Sequence, residues 1–105
     1  MKDSRLNKET CIPSIKLLGD YWSLRIIDEL SRGEQRFCSL QRTLDNINPV
    51  TLTTRLKKLE KAKIIKRNVG TLDKLSVTYD LTDLGLNVLP VINAVNEFSI
   101  KSKAN

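Results

Sequence analysis

The stretch NPVTLTTRLKKLEK, residues 48–61, decides the reading of this chain. Asn48 supplies a side-chain acceptor just ahead of Pro49, and proline suits a first helical position because its missing N–H has no partner there anyway. The helix that follows, residues 49–62, carries three threonines in its first turns, all weaker helix formers than Ala, Leu or Lys. At 100° per residue, Leu52, Leu56 and Leu59 share one face and must pack on a core, which is what stabilises so short a helix. The opposite face collects Val50, Thr54, Lys57, Lys58 and Lys61, with Thr53 and Arg55 on its flanks.

Working outward, Cys11–Leu18 reads as a short helix ended by Gly19. Asp20 caps a second helix with an apolar stripe of Ile26, Ile27 and Leu30, and Gly33 stands where a left-handed terminating residue belongs. Phe37, Leu40 and Leu44, at i, i+3, i+7 spacing, mark a third helix over 37–44. The connector Asp45-Asn46-Ile47 to the Asn48 cap is brief. After Ala62 the period changes. Ile65–Val69 reads as a strand, Gly70–Lys74 as a turn, and Leu75, Val77, Tyr79 and Leu81 alternate with polar residues as in a half-buried strand. A final helix is expected from about Asp83 to Ser99.

Two short helices joined by a tight turn and followed by a two-stranded ribbon make a winged helix-turn-helix, mainly α with a small β-hairpin (α+β). In that arrangement the second short helix enters the DNA major groove, reading bases with its first turns and holding phosphates with the rest. Threonine offers a hydroxyl and a methyl group that meets a thymine methyl, while Arg55 is suited to fork onto a guanine or clamp a phosphate. The bland alternative is an amphipathic helix whose outer face is polar because water is. The capped start, the threonines, the cations and the downstream hairpin all point the other way.

The composition agrees. The 105 residues carry a net charge of +6, with 40% hydrophobic and 29% charged residues, as in one ordinary globular domain. Seven of the 18 cations (Arg55, Lys57, Lys58, Lys61, Lys63, Lys66, Arg67) fall within 13 residues, which suits a polyanion. No apolar run is long enough to span a bilayer and MKDSRLNKET lacks a signal-peptide core, so the expected compartment is the cytoplasm and no membrane partner is expected. Residues 1–105 read as one domain with frayed ends at about 1–10 and 100–105. With no His, no Gly-rich phosphate loop and no plausibly spaced carboxylate pair, neither an enzyme nor a metal site is expected, and no cofactor.

These residues together resemble the HxlR-type branch of winged-helix transcriptional regulators, related in fold to the MarR regulators. The likeness rests on Leu18-Gly19-x-x-Trp22, Gly33-x-x-Arg36-Phe37, Ile47 followed by Leu52-Thr53-x-Arg55-Leu56-Lys57-x-Leu59, and Tyr79-x-Leu81-Thr82-x-x-Gly85, and it covers roughly residues 11–98. It implies a homodimer that binds operator DNA and controls transcription of nearby genes, most simply as a repressor. It places Arg36 near the DNA backbone, the face bearing Asn48, Val50, Thr51, Thr53, Thr54, Arg55, Lys57 and Lys58 in the major groove, and a wing over 70–75 on the flanking backbone or minor groove. Lys66, Arg67 and Lys74 are the hairpin's cations. Three departures stand out: Asp20-Tyr21 replaces a basic pair, the wing GTLDKL has no proline, and Lys63 replaces a common glycine. A left-handed backbone at Lys63 would cost roughly 1 kcal/mol.

In the final helix, over 83–99, Leu84, Val88, Val91, Val95 and Phe98 repeat at spacings of 4, 3, 4 and 3, with Ile92 on a second stripe, and Pro90 interrupts the ladder. This is the expected dimerisation helix, assisted by Ile12, Ile15 and Leu18; a twofold dimer requires an inverted-repeat operator. Cys11, at a helix N-terminus, is the candidate sensor of an oxidant, against the alternative of a small buried hydrophobe. Cys38, beside Phe37, is expected in the core. A small-molecule inducer bound without cysteine chemistry stays open, and so does a winged-helix module that uses the same surface on an acidic protein.

Overall fold

The computed structural model describes residues 6–70 and 76–104. The chain runs α1 (Cys11–Leu18), α2 (Tyr21–Leu30), β1 (Gln35–Arg36), α3 (Phe37–Thr43), α4 (Pro49–Lys61), β2 (Ile65–Val69), β3 (Val77–Leu81), α5 (Asp83–Leu86) and α6 (Leu89–Ala104). The expected helices α1 to α4 and both ribbon strands form at these places. The ribbon, however, belongs to a three-stranded antiparallel sheet of order β1-β3-β2, with Gln35 opposite Tyr79 and Ile65 opposite Leu81. Two residues are too few to show alternation, so β1 has no signature in the sequence. The turn over 71–75 lies outside the described residues.

One core joins these elements. Ile26, Ile27 and Leu30 of α2 meet Leu40, Leu44 and Ile47 of the α3 region, Leu52, Leu56 and Leu59 of α4, and Ile64, Ile65, Leu81 and Val88 behind the sheet. Each fully buried leucine contributes about 1.5–3 kcal/mol. The tight turn between α3 and α4 uses Asp45 and Asn46 at φ 59° and 57°, a left-handed conformation that Asp and Asn tolerate. The Asn46 N–H bonds the Gln41 carbonyl at 2.9 Å, and the Gln41 amide bonds the Ile47 carbonyl at 3.1 Å, so the turn is closed from both sides.

The exit from α4 is a Schellman turn. Lys63 donates to the Glu60 carbonyl and Ile64 to the Leu59 carbonyl, at 2.9 and 3.0 Å, with Lys63 at φ 63°. The left-handed lysine expected at this position is therefore present. Thr82 then anchors the sheet to the next helix. Its N–H bonds the Ile64 carbonyl at 3.1 Å, and its hydroxyl caps Gly85 N–H at 3.1 Å while lying 2.6 Å from the Lys63 carbonyl. A Cβ on Gly85 would collide with the Ile64 carbonyl oxygen, so α5 sits on this backbone only because residue 85 has no side chain.

The C-terminal region corrects three expectations. The single helix over 83–99 is two: α5 ends at Leu86, and Pro90 stands in the first turn of α6, where a proline leaves no intrahelical partner unsatisfied. Val88 falls in the break and is 5% exposed, so it belongs to the protomer's own core and not to the dimer face. The helix also continues to Ala104, through residues expected to fray. Cys38 is exposed, not in the core, because it sits on the outward side of α3 from Leu40.

Thermal unfolding should separate two glycine effects. Lys63→Gly is expected to raise stability by up to about 1 kcal/mol by relieving the left-handed lysine. Gly85→Ala should lower it by about 2–3 kcal/mol through the forced shift of α5 off Ile64. Equal stability of all three proteins would contradict both assignments.

Candidate nucleic-acid interface

The cap of α4 forms as expected: Asn48 Oδ1 accepts from Val50 N–H at 2.8 Å and from Thr51 N–H at 3.4 Å. With the three leucines inward, Val50 is left 73% exposed, and Thr54, Lys57 and Lys61 are exposed beside it. Thr51, Thr53 and Lys58 are half-buried on the flanks. The Thr54 hydroxyl donates to the Val50 carbonyl at 2.8 Å, one turn back. Pro49, Val50, Thr53, Thr54 and Lys57 line one shallow depression on this face. A second, of about 360 Å³, runs between α4 and the sheet, where Thr53, Lys57 and Glu60 meet Arg67 and Tyr79. The structure thus brings together Val50, Thr53, Thr54, Lys57 and Arg67. Arg36 is exposed on β1, at the sheet edge away from β2. Lys74 lies outside the described residues.

Arg55 is placed differently from expectation. Its guanidinium turns toward the start of α2, with Nε 2.7 Å from Asp20 Oδ2 and Nη2 3.4 Å from Oδ1. It is therefore not presented to a groove as a forked reader of guanine; it is an internal tie between two helices. Asp20 in turn caps α2 through Ser23 N–H at 3.0 Å and accepts from the Ser23 hydroxyl at 2.7 Å, and Ser23 is fully buried. Burial by itself would raise the Asp20 carboxyl. The bonds from Arg55 and Ser23 outweigh it and hold the carboxyl down at about 2, from an ordinary 3.8. The acidic residue of the Asp20-Tyr21 departure is thus the counterion of an arginine on α4.

Two more anchors escaped the sequence. Arg25 of α2 bonds the Tyr21 hydroxyl at 2.7 Å, the Thr43 carbonyl at 3.1 Å and Asp45 at 3.3 Å, fastening the helix-turn-helix corner to α2. Glu34 accepts from Thr78 at 2.8 Å and Asn68 at 2.9 Å, so one carboxylate joins the β1 approach to both ribbon strands; those two bonds hold its carboxyl below the usual range. Tyr21 lies one turn from Arg25, but the Thr43, Asp45, Asn68 and Thr78 partners lie outside any sequence window that periodicity can read.

On another face of the molecule, α6 packs on the core through Leu89 and Ile92 and leaves its remainder to solvent. Residues 93–103 are exposed throughout, with Val95 at 49% and Phe98 at 71%. Leu84, Val91 and Ile15 are exposed as well, whereas Ile12 and Ile92 are half-buried, Ile92 packing on the core. Between α1 and α6 lies an apolar groove of about 610 Å³, lined among others by Cys11, Ile15, Leu18, Val91 and Val95. Cys11 is half-buried at the first position of α1. Among the described residues, no helix is long and apolar enough to cross a membrane.

Two helices at a closed turn, the second bare on its outer side and flanked by an antiparallel ribbon, define a winged helix-turn-helix regulator of the MarR-like kind. The chain belongs to the HxlR-like helix-turn-helix family, whose model matches residues 17–104. It is similar to the HTH-type transcriptional regulator YvaP of Bacillus subtilis, 29% identical over 82% of this chain and 80% of that protein. Among solved structures, the reduced form of the B. subtilis transcriptional regulator YodB matches with a TM-score of 0.76 and 32% identity, over 85% of this chain and 87% of that one. YodB in its quinone-bound form matches with a TM-score of 0.75 and 29% identity, over 86% and 94%. A MarR-family regulator from Porphyromonas gingivalis W83 reaches 0.79 at 29% identity, over 92% and 97%. The chain is accordingly a transcriptional regulator of the helix-turn-helix type.

The Asp20–Arg55 pair has a pH signature. Because the folded carboxyl titrates at about 2 and the unfolded one at about 3.8, the pair's stabilisation is fully present above about pH 4. It is lost as pH falls through 2. Arg55→Ala should cost about 1–2 kcal/mol at neutral pH, and the gap to the parent protein should narrow in acid titrations below pH 4. A gap that stays constant down to pH 2 would remove this assignment.

Proposed function

We propose that the chain is a homodimeric repressor that binds an inverted-repeat operator, with α4 in the major groove and the ribbon against the flanking backbone. The observation that carries the reading is the bare outer side of α4, where Val50 is 73% exposed beside Thr54 and Lys57 while the inner side is sealed by leucines. Val50, Thr53 and Thr54 face base edges. Lys57, Lys58, Arg67 and Arg36 meet phosphates, which position the helix without reading sequence. Asn48 keeps its amide N–H groups for the duplex while its oxygen caps the helix, and Thr51 supports the first turn. A regulator of this kind works in the cytoplasm, where the DNA is.

The dimer is built from the exposed run of α6, Val91, Val95 and Phe98, with Ile15 and Leu84 alongside. Two copies related by a twofold axis then present two α4 helices to successive major-groove faces. Cys11 lies in the groove next to that seam, and YodB, with which this chain shares its fold and 32% identity, has been solved in reduced and quinone-bound forms. An oxidant or electrophile acting at Cys11 is the signal this placement supports best, since a change there alters the packing of α1 against α6.

Gel shifts on the intergenic DNA beside the gene test the DNA reading and the signal together. Affinity should fall steeply with salt, and Lys57→Ala should flatten the log–log slope by about 0.9. Diamide should release the parent protein but not Cys11→Ser. Salt-independent binding, or equal release of both proteins, would refute the corresponding part. In sedimentation, Phe98→Glu or Val95→Asp should turn a dimer into a folded monomer, whereas Val88→Asp should unfold the protomer. A monomeric parent protein would end the dimer proposal.

A further inference from the structure

Arg55 lies on the helix proposed to enter DNA, yet its side chain is turned away from the outer face and committed to Asp20 through Nε at 2.7 Å and Nη2 at 3.4 Å. The pair is sheltered: 30% of the arginine side chain and 22% of the aspartate side chain are exposed. The aspartate is a fixed anchor because it also holds the first turn of α2 through both the N–H and the hydroxyl of buried Ser23. The three leucines beneath α4 choose the buried side of the helix, but the hydrophobic attraction itself carries no preferred angle. A charged fork is directional. It ties α4 to the first turn of α2 at a defined angle, in addition to the leucine packing beneath it.

We propose that Asp20 and Arg55 form a positioning pair for DNA recognition: they set the roll of α4 so that Val50, Thr54 and Lys57 point into the groove, and Arg55 itself touches no DNA. The proposal rests on the reading of α4 as the DNA-facing helix. It differs sharply from the view in which Asp20 merely masks an arginine that would otherwise clamp a phosphate. Asp20→Asn separates the two, because asparagine keeps the helix cap but removes the charge. If Asp20 only masks Arg55, its neutralisation frees a cation and tightens binding. If the pair positions α4, the same change weakens binding although the protein has become more positive.

The measurement is the affinity of the full chain for a labelled duplex of the intergenic DNA beside the gene, across a salt series, with helix content checked by circular dichroism in the same buffers. Asp20→Asn and Arg55→Ala are each expected to weaken binding by about tenfold, and the double variant by no more than either alone, because both remove one interaction. The salt slope should stay that of the parent protein, since no phosphate contact is lost. Unchanged or tighter binding by Asp20→Asn, additive losses in the double variant, or a slope flattened by about 0.9 in Arg55→Ala would each overturn the positioning role while leaving α4 as the DNA helix. A parent protein that binds no duplex at all would overturn the DNA reading first, and the positioning role with it.

Discussion

Leu52, Leu56 and Leu59 fasten α4 to the core formed by Ile26, Ile27 and Leu30, and the rest of the structure is arranged around that seam. A thirteen-residue helix with threonines in its first turns is marginal in water, so tertiary burial must hold it. Burial of one narrow stripe has a geometric corollary: everything more than about a quarter-turn from the leucines is left to solvent or to a partner. The helix-turn-helix corner, the Arg25 bridge to Thr43 and Asp45, and the Schellman turn at Lys63 all fix the two ends of this one helix. They add little buried area of their own. Their contribution is to make the seam close in a single register.

The ribbon depends on the same seam at one remove. Ile64 and Ile65 leave α4 directly into the core, and Thr82 and Gly85 clamp the returning strand onto the Ile64 carbonyl. Glu34 joins Asn68 and Thr78 from outside. The sheet base is thus tied by backbone and short polar side chains, while its far turn lies beyond the described residues. The Thr82-x-x-Gly85 spacing that carries part of the family likeness is explained by this clamp: threonine caps and donates, and glycine permits the approach.

What the sequence made legible was whatever repeats within one element. The 3.6-residue period exposed α1 to α4, the Asn48-Pro49 pair marked where α4 begins, and alternation exposed the two ribbon strands. The left-handed backbone at Lys63 was also readable, because a family glycine there signals a conformation rather than a contact. Contacts between distant residues were not readable. Arg55 and Asp20 are 35 positions apart, so an arginine on the flank of the cationic face was read as a guanine or phosphate contact, whereas in the structure it turns to Asp20. Val88 failed for the opposite reason: its spacing matched a continuous helix, but the break before Leu89 rotated it into the core. The two-residue β1 has no periodic trace at all, whereas the exposure of Cys38 follows from its place on α3 opposite Leu40. For α1 to α4 and the two ribbon strands local pattern sufficed; for β1, the α5–α6 break and the direction of Arg55, the outcome depended on neighbours that only tertiary structure supplies.

The inward bond of Thr54 has a chemical corollary for any duplex that meets this face. Its hydroxyl proton is engaged by the Val50 carbonyl, so while that bond holds the oxygen has lone pairs to offer and no hydrogen. Such an oxygen pairs with exocyclic amino groups, those of adenine and cytosine in the wide groove, and is indifferent or adverse to the keto oxygens of guanine and thymine. The side-chain methyl remains available for a neighbouring pyrimidine methyl. A single intrahelical bond thereby narrows an ambidextrous residue to one half of the base alphabet.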